Sequence, residues 1–212
     1  DKIGPRWVAT IGGVAVALGC IIAGLAGSSY IGFVVGFGLL GGSGIGFGYA
    51  AATPAAVKWF PASQTGMIAG LVVAGFGLAS VSIAPTAQAL LGAYGVSTTM
   101  ILFGVAFFLI VVTLAQFLRN TPADYVPFDA KADIRPTTTA AAKPPVDMNW
   151  RQMIRTSNFW MLWTMYVFGA AAGLMVIGSA ASMSKAALGP AAFVAVAVLA
   201  GGNAGGRVLA GV

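Results

Sequence analysis

Residues 98–118 read TTMILFGVAFFLIVVTLAQFL, a run with no charged side chain that ends where Arg119 begins. A helix needs about 20 predominantly apolar residues to cross the hydrocarbon core of a bilayer. This run has that length and is apolar on every face. It lacks the alternation of a membrane strand, whose segments are about 10 residues long. Working outward, five further stretches meet the same test: residues 7–26, 31–57, 66–91, 159–181 and 190–212. The whole chain is 58% hydrophobic and 8% charged, which sets it apart from soluble domains. The expected fold class is therefore all-α integral membrane, with six transmembrane helices.

Orientation follows from the cations in the connections, because Lys and Arg near span ends collect on the cytoplasmic side. If six helices alternate, Lys2, Arg6, Lys58, Arg119, Lys131, Arg135, Lys143, Arg151 and Arg155 fall on one side and Lys185 on the other. The first side is read as cytoplasmic, so both ends of the chain face it. The connections at residues 28–30, 92–97 and 182–189 then lie outside. The net charge of +6 expresses this asymmetry and needs no nucleic-acid partner. The first apolar run follows a charged hexapeptide, with no initiator Met and no signal peptide before it, and the chain is read as a fragment.

Residues 119–158 form the one long break. They include Arg135-Pro136-Thr137-Thr138-Thr139 and Lys143-Pro144-Pro145, and read as a mobile cytoplasmic linker. Near its end Trp150, Met153 and Ile154 stand beside Arg151 and Arg155, a pattern that suits a short helix on the membrane surface. An ordinary juxtamembrane anchor is the plainer reading of it.

Several chemistries are excluded by what the spans lack. There is no His, and the five acidic residues, Asp1, Asp124, Asp129, Asp133 and Asp147, all lie outside the apolar stretches. Zinc sites and His-based acid-base catalysis are thus not expected, nor is an enzyme, since nothing in the spans would activate a Ser or Thr nucleophile. Cys20 sits mid-span as a small hydrophobe without a disulfide partner. Gly36-Phe37-Gly38-Leu39-Leu40-Gly41 matches G-x-G-x-x-G, but a dinucleotide fingerprint requires a strand before it and an acidic residue after it. No cofactor is expected.

Glycine is concentrated in the spans. Pairs four apart, Gly38 and Gly42, Gly42 and Gly46, Gly44 and Gly48, Gly66 and Gly70, Gly201 and Gly205, leave flat faces for close helix approach. Pro54 and Pro85 mark possible bends. Tyr49 places a hydroxyl in a span, where it must meet another helix or a bound polar ligand.

Arg207 is the one cation inside an apolar stretch. A guanidinium at membrane depth costs about 3 kcal/mol or more, so it marks a functional position unless it snorkels to the interface or pairs with an acid on another helix. Asn203 precedes it by one turn on the same helical face. A planar guanidinium matches a carboxylate, and a bound anion would neutralise it during passage. A channel or a structural membrane subunit without transport activity is the competing class. A channel would need no such counter-ion.

At this point the residues resemble a known family. Asp1-Lys2-Ile3-Gly4-Pro5-Arg6 resembles the cytoplasmic signature between the second and third helices of major facilitator superfamily transporters. Gly46-Phe47-Gly48-Tyr49-Ala50, Lys58-Trp59-Phe60-Pro61 and Ala74-Gly75-Phe76-Gly77 are similar to helices four and five of its oxalate:formate antiporter and monocarboxylate transporter branch. Thr156-Ser157-Asn158-Phe159-Trp160-Met161-Leu162-Trp163 resembles the start of helix seven, and Asn203-Ala204-Gly205-Gly206-Arg207 with Gly211 resembles helix eight. One departure is Ser63-Gln64-Thr65-Gly66, where the family commonly has a basic residue before the Gly.

The resemblance implies helices three to eight of twelve. Residues 1–118 would belong to the N-terminal six-helix half, 119–158 to the linker between halves, and 159–212 to the start of the C-terminal half. It implies a secondary transporter of small organic carboxylate anions working by alternating access, embedded in a cell membrane, the bacterial inner membrane, and monomeric when full-length. It gives substrate binding to Arg207, Asn203 and Tyr49, and conformational gating to the loop carrying Asp1, Gly4 and Arg6.

Overall fold

A computed structural model describes residues 3–122, 125 and 148–211 of the chain. Every regular element among the described residues is helical. Four helices are long and apolar enough to cross a membrane: Gly4–Leu25, Tyr30–Val57, Ala62–Ala115 and Ser157–Leu188. The third contains two of the expected spans, and the last expected span is a shorter helix, Phe193–Leu209. Packing divides the chain into two units, Asp1–Lys131 with Ala197–Val212, and Ala132–Val196.

The first unit is built around α1, Gly4–Leu25, whose small residues let its neighbours approach closely. It is followed by α2 (Tyr30–Phe33), a π-helix (Val34–Gly41) and α3 (Gly42–Val57), which together form one continuous span. The chain crosses α1 twice at glycine. A Cβ on Gly12 would stand 2.8 Å from the Gly44 carbonyl oxygen, and one on Gly19 would stand 2.6 Å from that of Gly36. The π geometry has a physical reason here. Its i to i+5 repeat stacks Gly36 above Gly41, and both then face α1 at Gly19. The G-x-G-x-x-G segment lies in this π-helix with α-helix before it, not a strand.

After a 3-10 turn at Ala62–Gln64, α4 spans Thr65–Ala115. Residues 92–97, expected as an outer connection, are helical except at Gly95, whose φ of 74° and ψ of −179° break the helix into two arms. Only glycine adopts that backbone without strain. The buried Thr99 hydroxyl donates to the Gly95 carbonyl at 2.7 Å, satisfying a group the break exposes. The second arm runs antiparallel to α1, with Val111 beside Gly13 and Ile101 beside Gly24. The helix continues through both Pro54 and Pro85.

In the second unit a capping box, Asn149 with Gln152, starts α5 (Trp150–Met153), the short helix expected there. Arg151 lies over the Trp150 ring at 5.2 Å. Thr156 caps α6, Ser157–Leu188, and the Trp160 indole donates to the Ile154 carbonyl at 2.8 Å. The helix runs through residues 182–188, which the sequence assigns to a connection, and ends only at Gly189, where φ is 50°. A 3-10 turn, Gly189–Ala192, leads into α7, Phe193–Leu209. Most of residues 119–158, Lys131, Arg135 and Lys143 among them, lie outside the described residues.

Candidate functional site

The site belongs to the first unit and depends on how closely α7 approaches the first arm of α4. Gly66, Gly70 and Gly77 share one face of α4, being four and seven residues apart. A Cβ on Gly70 would stand 2.5 Å from the Arg207 carbonyl oxygen, and one on Gly66 equally near that of Gly211. Gly77 meets Ala204, where a Cβ would stand 3.2 Å from the alanine methyl. Three positions without side chains thus seat α7 against α4 backbone to backbone. Of the expected glycine pairs, Gly66 and Gly70 and the single Gly44 make close contacts. A Cβ on Gly42, Gly46, Gly48, Gly201 or Gly205 would meet nothing within 4 Å among the described residues.

Arg207 is presented from that seam. In a helix, side chains lean toward the N-terminus, so an Arg reaches back along its own preceding turn. Its Nε–H donates to Asn203 Oδ1 at 3.1 Å, and its Nη1–H donates across to the Tyr49 hydroxyl oxygen on α3 at 3.3 Å. The three residues singled out from the sequence therefore meet in one partly buried cluster. Gly70 is five residues inside α4 and Tyr49 eight residues inside the end of α3, about 7 Å and 12 Å at 1.5 Å per residue. The guanidinium reaches back along α7, away from those helix ends.

Two residues beside the cluster carry no sign of a site role in the sequence. The Phe76 ring packs on Tyr49, centroids 5.0 Å apart and tilted by 35°, and steadies the phenol that Arg207 meets. One turn beyond Tyr49, the Thr53 hydroxyl oxygen is buried without a hydrogen-bond partner among the described residues. Phe76 belongs to a stretch that resembles helix five but carries no mark of a site residue there, and Thr53 reads as one of many small polar ones. The ring contact between α3 and α4 distinguishes Phe76, and burial distinguishes Thr53.

The Major Facilitator Superfamily matches residues 1–212, the whole chain. The chain belongs to the Major Facilitator Superfamily. It is 27% identical over 179 residues to the oxalate:formate antiporter of Oxalobacter formigenes, covering 84% of this chain and 40% of that protein. It is 24% identical over 215 residues to the uncharacterised MFS-type transporter YhjX of Escherichia coli, covering all of this chain and 50% of that one. It is 33% identical over 89 residues to apicoplast pyruvate carrier 1 of Toxoplasma gondii, 42% of this chain and 16% of that carrier. The chain thus spans half or less of the length of these relatives. Proteins of the Major Facilitator Superfamily are membrane transporters rather than enzymes.

At the expected superfamily gating loop, Asp1 lies outside the described residues. Gly4 opens α1 with a φ of 73° and, with Pro54 and Lys58, lines a cavity of about 290 Å³. The Arg6 carbonyl accepts from the Thr10 hydroxyl, whose oxygen in turn accepts from Gln116 Nε2 at 3.2 Å, joining α1 to the end of α4. The loop after α3 is tied by aromatic residues. The Trp59 indole donates to the Arg119 carbonyl at 3.3 Å, and the Tyr125 hydroxyl donates to the Trp59 carbonyl at 3.1 Å.

Proposed function

We propose that the chain is part of a secondary transporter that moves small organic carboxylate anions, such as oxalate, formate, lactate or pyruvate, by alternating access. The observation that carries this reading is the Arg207 cluster. A guanidinium held inward by Asn203 and Tyr49 offers directed donors for a carboxylate, while no Asp or Glu occurs in any of the six apolar stretches. The named activities of two relatives, an oxalate:formate antiporter and a pyruvate carrier, support the same substrate class.

In this reading Arg207, Asn203 and Tyr49 form the substrate-binding cluster, and the bound anion neutralises Arg207 and lets the two halves of the full protein rock about it. Residues 1–118 form part of the N-terminal half, 119–158 the linker and 159–212 the start of the C-terminal half. The loop with Asp1, Gly4 and Arg6 gates the change from the cytoplasmic side of a bacterial inner membrane. Exchange of one anion for another needs no carboxylate-borne proton, in keeping with spans that hold none. The test is exchange of labelled oxalate, formate and lactate by the full-length protein in proteoliposomes. Arg207→Lys keeps the charge but not the planar donors, and is expected to lower exchange about 100-fold. Unchanged exchange defeats the carboxylate role.

A further inference from the structure

We infer that Asn203 is a positioning residue that closes the side-on edge of Arg207, so that the carboxylate docks end-on across the two terminal nitrogens. The inference rests on the functional reading above and concerns which donors of the same site the anion uses. A guanidinium has five N–H donors and can grip a carboxylate in two ways, through Nε and one terminal nitrogen or through both terminal nitrogens. The first requires the Nε–H, and that hydrogen is given to Asn203 Oδ1 at 3.1 Å. The amide orientation is dictated by chemistry. Arginine carries donors alone, so Oδ1 must face Nε and the Asn203 NH₂ must turn away from it. Tyr49 takes one hydrogen of Nη1, leaving one on Nη1 and two on Nη2.

The spacing makes the arrangement self-supporting. Asn203 lies one turn toward the N-terminus of α7, the direction in which the Arg207 side chain leans, so their contact needs no other helix. Tyr49, on α3, then fixes the rotation of the guanidinium plane from the side. Asn203 thus acts on the anion through Arg207.

A double-mutant cycle on the full-length protein separates this from direct contact, with oxalate as the probe and its Kd as the readout. Asn203→Ala alone is expected to weaken binding about tenfold. In the Arg207→Lys background, which has no Nε–H to orient, it is expected to change Kd by less than about twofold. An equal factor in both backgrounds overturns the inference, because Asn203 then touches the anion itself. A structure of the oxalate-bound protein decides the matter even where Arg207→Lys binds too weakly to measure. Oxalate across Nη1 and Nη2, with Asn203 still on Nε, supports it. Oxalate on Nε with Asn203 displaced overturns the docking mode and leaves the functional reading standing. Oxalate bound away from Arg207 removes both.

Discussion

A single added carboxylate distinguishes a waiting guanidinium from a structural one. Asn203→Asp keeps the acceptor that holds Arg207 Nε but places a permanent negative charge 3.1 Å away, where the substrate would otherwise bring one. An opposite charge at that range in a partly buried site competes directly with a ligand. The variant is expected to fold, since the pair is neutral, and to lose at least about 100-fold in carboxylate affinity, checked by titration of the purified protein. If Arg207 were only a packing element, affinity would be unaffected. The cluster was legible in the sequence because an intramembrane charge is costly and because i and i+4 fix a shared face for Asn203 and Arg207. Tyr49 was singled out as a hydroxyl needing a partner, and the structure supplies Arg207 as one. Phe76 and Thr53 were not legible. The Phe76 ring contact between α3 and α4, and the burial of the Thr53 hydroxyl, come from packing that no local pattern encodes.

At the scale of elements, the seam between α4 and α7 sets where Arg207 stands. Gly70→Ala would bring a methyl to 2.5 Å from the Arg207 carbonyl oxygen, and backbone on both sides cannot yield without moving a helix. The expected result is loss of transport by about tenfold or more, with an overpacking cost of about 1–3 kcal/mol read as lowered thermal stability. Gly75→Ala on the same helix, where a Cβ meets nothing within 4 Å among the described residues, serves as the control and should leave both unchanged. Equal behaviour of the two variants contradicts the seam. The apolar stretches located the spans because length and hydrophobicity are properties of sequence alone. Their ends were less legible. Residues 92–97 and 182–188 contain turn-forming and polar residues, yet helix persists through them because the break is confined to Gly95 in the first and deferred to Gly189 in the second. The π-helix at Val34–Gly41 had no signal either, since it answers to the glycines of α1 that it packs against.

For the whole molecule, alternation of spans fixes which loops share a side. Cys20 is the one cysteine of these 212 residues and is 1% exposed, so within this segment engineered thiols report without background. In intact cells, Ser28→Cys is expected to react with a membrane-impermeant maleimide from outside. Ser63→Cys, in the turn between α3 and α4, should react only after permeabilisation. The reverse pattern would contradict the orientation read from Lys and Arg. Superfamily membership was legible because motifs recur in order along nearly the whole chain. The choice of carboxylate was not, because the walls of a binding cavity in a twelve-helix transporter are shared with helices beyond this segment.

The most direct measurement is equilibrium binding of oxalate, formate, lactate and pyruvate to the purified full-length protein and to Arg207→Gln. The account predicts that the wild type binds at least one of these anions and that Arg207→Gln, with its guanidinium gone, binds it at least about 100-fold more weakly. Equal affinity in both proteins would contradict it.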